Sequence, residues 1–167
     1  MTVDPSQLTR LIEEELDSIK DQRILNFIRT CLIEPTVELR GWDYGHVGQQ
    51  YPCWIVFKRD SCEIAFCEEG FGPEAPWGLL WPVDHSHSSM GMDSGWFRTF
   101  MEAFFDSQAV TELPIWRVFR TDVDGVVASI SDEGSWEDIW EKVYALRSSD
   151  PDNRYDCDNP VAIACRE

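Results

Sequence analysis

Cys53-Trp54-Ile55-Val56-Phe57-Lys58-Arg59-Asp60-Ser61-Cys62-Glu63-Ile64-Ala65-Phe66-Cys67 is the stretch on which the fold turns. Residues 53–57 form an unbroken apolar run, after which Cys62, Ile64 and Phe66 alternate with Glu63, Ala65 and Cys67 at the two-residue period of a strand. The polar quartet Lys58, Arg59, Asp60 and Ser61 between them predicts a hairpin. Upstream, Val37 and Leu39 alternate with Glu38 and Arg40, which predicts a further strand; downstream, residues 77–81 predict another, broken at Pro82.

Helices flank this sheet. Asp4-Pro5-Ser6-Gln7 combines an N-cap, a proline at the first helical position and a glutamine three residues after the cap. Leu8, Leu11, Ile12, Leu16 and Ile19 then share one helical face, and Ile24, Phe27, Ile28, Cys31 and Leu32 a second, so two helices or one bent helix end before Pro35. In the centre, Phe97, Phe100, Met101, Phe104 and Phe105 predict a helix capped by Asp93 or Ser94. Residues 115–119 and 126–130 read as strands joined through Asp122, Asp124 and Gly125. Ser135 caps a helix turning Trp136, Ile139, Trp140 and Val143 to the core. Residues 147–155 read as a loop, and 161–165 as an edge strand. The sum is an α+β fold, a single acidic domain over residues 1–167, with a mainly antiparallel sheet packed against N-terminal, central and C-terminal helices.

The formal net charge of 167 residues is -17, yet 43% of the chain is hydrophobic and 13% aromatic, so the acidity belongs to a chain that can build a core. Such a field repels nucleic acid and anionic membranes and speeds encounter with a basic protein. No apolar run approaches the roughly 20 residues of a membrane span. The N-terminus carries no basic region followed by an apolar stretch, which predicts a cytoplasmic protein whose six cysteines are mostly reduced fillers. The carboxylates are unevenly spread. From Asp60 to Phe97 there are seven and no Lys or Arg; between Arg120 and Lys142 there are again seven and none. Each stretch reads as a solvated face or as a docking surface.

Little in the chain points to chemistry. Cys62 and Cys67 with His85 and His87 lack the spacing of a zinc site, no Gly-rich loop joins a strand to a helix, and Asp122-Val123-Asp124-Gly125 reads as a turn; no metal or cofactor is expected. The densest unusual composition runs from Glu68-Glu69-Gly70-Phe71-Gly72-Pro73-Glu74 to Trp77 and Trp81. Aromatics within an acidic rim make a hot spot for a basic partner, so Glu68, Glu69, Phe71, Glu74 and Trp77 are candidate contacts, and Trp42-Asp43-Tyr44-Gly45 adds Asp43 and Tyr44. A small hydrolase or transferase using Asp43, His46 and Glu68, and a DNA mimic, are the other readings.

In its acidity, tryptophan content, Gly- and Pro-containing loop before Trp81 and segment Met90-Gly91-Met92-Asp93-Ser94-Gly95-Trp96-Phe97, the chain resembles the small acidic α+β immunity proteins that bacteria encode beside polymorphic or contact-dependent toxins. The resemblance implies a non-enzymatic protein, monomeric or weakly dimeric, that binds a toxin domain and blocks its active site.

Overall fold

The computed structural model describes residues 4–84 and 88–166. The chain forms two compact units, Met1–Ala109 and Val110–Glu167, each of helices and antiparallel strands, an α+β architecture with a separate sheet in each unit.

The first unit opens with α1 (Pro5–Leu16), where Asp4 accepts the Ser6 N–H and Gln7 reaches back to the cap in a full capping box. α2 (Gln22–Cys31) starts from a second aspartate cap, Asp21. A five-stranded antiparallel sheet follows in simple chain order, β1 (Leu32–Arg40), β2 (Tyr51–Arg59), β3 (Cys62–Phe66), β4 (Trp77–Leu80) and β5 (Trp96–Phe97). The expected hairpin joins β2 and β3: Arg59 pairs with Cys62, and Asp60 turns the chain at φ 48, a left-handed conformation that aspartate tolerates.

Strand register divides the side chains between two faces, because directly paired residues share one. One face carries the row Val37, Trp54, Phe66, Trp77 and Phe97; the other carries Ile55, Ala65, Gly78 and Trp96. Helices cover the first. Here α3 (Phe100–Asp106) sets Phe100 edge-on to Trp77 at 5.5 Å and Phe104 against Phe57 at 5.9 Å and Phe27 at 6.2 Å. The cap of α3 is Thr99, in a capping box with Glu102, and neither Asp93 nor Ser94; Asp93–Gly95 is a 3-10 turn and Phe97 ends in β5. Thr99-x-x-Glu102 satisfies two backbone donors reciprocally, which outweighs the longer apolar stripe. From α1, the Glu15 carboxylate accepts the Phe100 and Met101 N–H groups at 3.1 and 2.9 Å, and burial raises its pKa against those two hydrogen bonds.

The alternation in β1 is real but inverted. Val37 and Leu39 are 46% and 58% exposed, while Arg40 is fully buried. Its guanidinium bonds Glu38 at 2.8 Å, Glu63 at 3.0 Å and the Trp81 carbonyl at 2.8 Å, and Lys58 Nζ sits 2.7 Å from the other Glu63 oxygen. Glu63, counted above in an acidic stretch, is therefore neutralised inside the fold. On the same face Gly78 leaves room for the Trp96 indole, whose ring atoms lie within 2.6–2.8 Å of where a Cβ would stand.

In the second unit a three-stranded antiparallel sheet, ordered β7-β6-β8, comprises β6 (Arg117–Thr121), β7 (Val127–Ser129) and β8 (Arg154–Asp158). Of the segment 147–155 expected as a loop, residues 150–153 form a turn, while its ends belong to α4 (Trp136–Ser149) and to β8, which pairs along its length with β6 and buries Tyr155. The expected C-terminal strand is instead α5 (Pro160–Arg166): buried Asn159 accepts the Ala162 N–H at 2.9 Å, and Pro160 supplies the preset first helical φ. α4 is capped by Ser135 as expected, but only Ile139 and Val143 are buried on it; Trp136 is 37% exposed and Trp140 half-buried.

Candidate binding surface

The sheet face opposite the helices is covered by three loops, and their residues build the surface. Tyr51, Cys53 and Ile55 of β2, Ala65 of β3, Cys67 and Leu80 form its floor with Met90 and Trp96. On this floor Trp42 makes edge contacts with Tyr51 at 5.6 Å, Tyr44 at 5.8 Å and Phe71 at 5.1 Å, and Phe71 stacks on Trp96 at 5.4 Å. Trp42 Nε1 is buried with no acceptor among the described residues, so aromatic packing rather than a hydrogen bond fixes the ring.

Short tethers hold the loops in place. The Gly41 N–H donates to the Ser88 carbonyl at 2.9 Å, and the Met90 N–H to the Gly41 carbonyl at 2.8 Å; the Trp96 indole then donates to the Met90 carbonyl at 2.8 Å. Met90 is fully buried and lies so close to Gly70 that a Cβ there would meet its methyl group at 2.1 Å. The segment from Met90 to Phe97, distinctive in sequence, is thus a structural clasp. The loop between β3 and β4 is closed by the Cys67 N–H to the Pro76 carbonyl at 2.8 Å, with Gly72 at φ 85.

At the root of that loop the β2–β3 register, continued by one residue, sets Cys67 opposite Cys53. The hydrogen bond between the two thiols, with burial, pushes Cys53 upward; the same bond and the Glu69 and Gly70 N–H groups lower Cys67 to about 7. Cys62 belongs to the opposite face, with Ile64 and Phe66, and burial pushes it up to about 11.

The Trp42–Phe71 contact brings together the two aromatic loops that the sequence singled out separately. Asp43 and Tyr44, the latter 65% exposed, stand on one; Glu68, Glu69 and Glu74, all exposed, lie on the other, to either side of partly buried Phe71 in sequence. Trp77 does not belong. It is 3% exposed on the helix-covered face, between Phe66 at 4.9 Å and Phe100 at 5.5 Å, because the sheet period sends it away from the loops. Trp42, the ring that joins the loops, carried no separate signal beyond its place beside Asp43 and Tyr44.

Beside the first loop lies an open cleft of about 420 Å³ lined by Trp42, Asp43, His46, Gln49 and Ser88 among others. Glu68 is not among its lining residues, so the proposed enzyme trio is not assembled there. Among the described residues no group of three or more His, Cys, Asp and Glu side chains is placed to hold a metal ion; His85 and His87 lie outside those residues. No helix among them is long and apolar enough to cross a membrane. No protein-family model matches the chain, and neither a curated protein nor a solved structure is similar to it.

Proposed function

We propose that this chain is an acidic protein-binding module that docks a basic protein on the surface formed by Trp42, Tyr44 and Phe71 and rimmed by Asp43, Glu68, Glu69 and Glu74. The observation that carries the reading is the Trp42–Phe71 contact at 5.1 Å, which holds aromatic anchors and carboxylates from two loops on one sheet face. Aromatic rings at the centre supply contact area with little entropy to lose, and a rim of like charge steers an oppositely charged partner and sets its register. With the net charge of -17, this supports an immunity-type inhibitor of a bacterial toxin, cytoplasmic and monomeric or weakly dimeric, that covers a basic substrate groove.

Rim and centre act on different rate constants. Charge reversal by Glu68→Lys with Glu69→Lys slows association with a basic toxin domain and flattens its salt dependence, whereas Phe71→Ala mainly speeds dissociation. Surface plasmon resonance at several salt concentrations separates the two. An unchanged association rate in the double reversal at low salt rejects this surface.

The cleft beside Asp43 and His46 favours a second reading, a hydrolase or transferase centred on those two residues. It predicts turnover of a small substrate that Asp43→Asn and His46→Ala each abolish, measured with no basic partner present.

A further inference from the structure

The second unit carries an aromatic ladder that its own core leaves half outside. Trp136, Trp140 and Tyr144 recur every fourth residue along α4 and contact one another in series, Trp136 with Trp140 at 5.9 Å and Trp140 with Tyr144 at 5.5 Å. The helix buries Ile139 and Val143 completely, yet leaves Trp136 37% and Tyr144 62% exposed. At about 100° per residue the ladder lies between that buried stripe and an acidic ridge, Glu137 and Glu141. Those two belong to the interval between Arg120 and Lys142 that holds seven carboxylates and no Lys or Arg.

The ladder already accepts one cation. The Arg147 guanidinium lies 5.3 Å over the Trp140 ring, and its remaining donors reach the Tyr155 carbonyl and an Asp156 oxygen, both at 2.8 Å. A planar guanidinium is weakly hydrated and stacks on a ring face while keeping its edge donors for carboxylates, a combination that a lysine ammonium lacks. Trp136 and Tyr144, on either side of Trp140, offer the same kind of ring beside Glu137 and Glu141.

We propose that this face of α4 docks an arginine-bearing segment of a partner protein, with guanidinium groups stacking on Trp136 and Tyr144 and pairing with Glu137 and Glu141. Charge complementarity selects the occupant. The carboxylate ridge disfavours nucleic acid and anionic lipid, and the stacked rings favour arginine over lysine. The site is independent of the loops on the first unit, so failure at one leaves the other standing.

The test titrates the full chain by calorimetry with two peptides of about ten residues, one alternating Arg with Gly and one alternating Lys with Gly, at about 150 mM salt to screen diffuse attraction. The arginine peptide binds about threefold or more tightly than the lysine peptide. It also shifts the indole N–H signals of Trp136 and Trp140 in NMR spectra of the labelled protein. Trp136→Ala with Tyr144→Ala abolishes the arginine preference, Trp136→Phe with Tyr144→Phe largely restores it, and Glu137→Gln with Glu141→Gln weakens both peptides. Trp136 and Tyr144 are 37% and 62% exposed, outside the stripe of Ile139 and Val143 that holds α4 in place, so the variants keep a cooperative thermal unfolding transition. Equal affinity for the two peptides, a preference that survives the alanine pair, or no binding at all overturns the proposal.

Discussion

Arg40 shows how far a single residue's environment can depart from its sequence pattern. It alternates with Leu39 as a solvent-facing residue of an amphipathic strand does, yet the arginine is inside and Val37 and Leu39 are outside. β1 is the edge of its sheet, and register places Arg40 beside Tyr51 on the loop-covered face, within reach of Glu38 and Glu63. Glu38 lies two residues away on the same strand face, but the Glu63 carboxylate and the Trp81 carbonyl that complete the buried network come from other parts of the chain and leave no signal in residues 37–40. Removing one member of such a network leaves buried charge behind. Arg40→Ala is therefore expected to cost about 3–5 kcal/mol, measured by urea unfolding, far more than truncation of exposed Leu39. Glu15 gives a residue-scale dependence on pH. Burial raises its pKa in the fold, so the folded chain holds that proton more tightly than the unfolded chain does. The stabilisation is complete below the ordinary glutamate value of about 4.3 and is lost as pH rises through the folded value. Stability of the parent relative to Glu15→Gln should therefore fall as the pH of urea titrations is raised through that window, and a difference that grows with pH contradicts the assignment.

At the scale of elements, what was legible followed local chemistry. Asp4-Pro5 and Ser135 were readable as helix starts because a cap acts within one turn, and the β2–β3 hairpin because its apolar pattern changes period across a polar quartet. Thr99 with Glu102, and Asn159 with Pro160, carry the same local information, but in the sequence they compete with a five-member apolar stripe and with the apolar residues 161–165. β8 could not be read. Arg-Tyr-Asp-Cys-Asp has one inward aromatic and is a strand because β6 pairs with it. The start of α3 is testable through its phenylalanines. Phe104 is fully buried against Phe57 and Phe27, so Phe104→Ala should cost about 3–5 kcal/mol, whereas half-buried Phe97, two residues before the Thr99 cap, should cost clearly less when truncated. Equal losses in thermal unfolding would place Phe97 on the helix after all.

For the whole molecule, charge and architecture bear on function together. The net charge of -17 was legible as a long-range negative field, but the place where that charge meets exposed aromatics was only half legible. Both aromatic loops were readable from composition; that Trp42 packs on Phe71 and so unites them, and that Trp77 faces the helices, follows from strand register and loop closure, which no local window contains. Likewise Trp136 and Trp140 read as core-facing beside Ile139 and Val143, whereas their displacement from that buried stripe, in a row with Tyr144, depends on what the sheet of that unit covers. The central claim is that the Trp42–Phe71 surface neutralises a basic toxin. The most direct measurement is survival of cells that express, one at a time, the products of the genes flanking that of this chain, with the chain co-expressed either unaltered or carrying Glu68→Lys and Glu69→Lys. The account predicts full protection by the unaltered chain and a loss of protection in the double reversal at equal protein level; equal killing with and without the chain, or equal protection by the two forms, would contradict it.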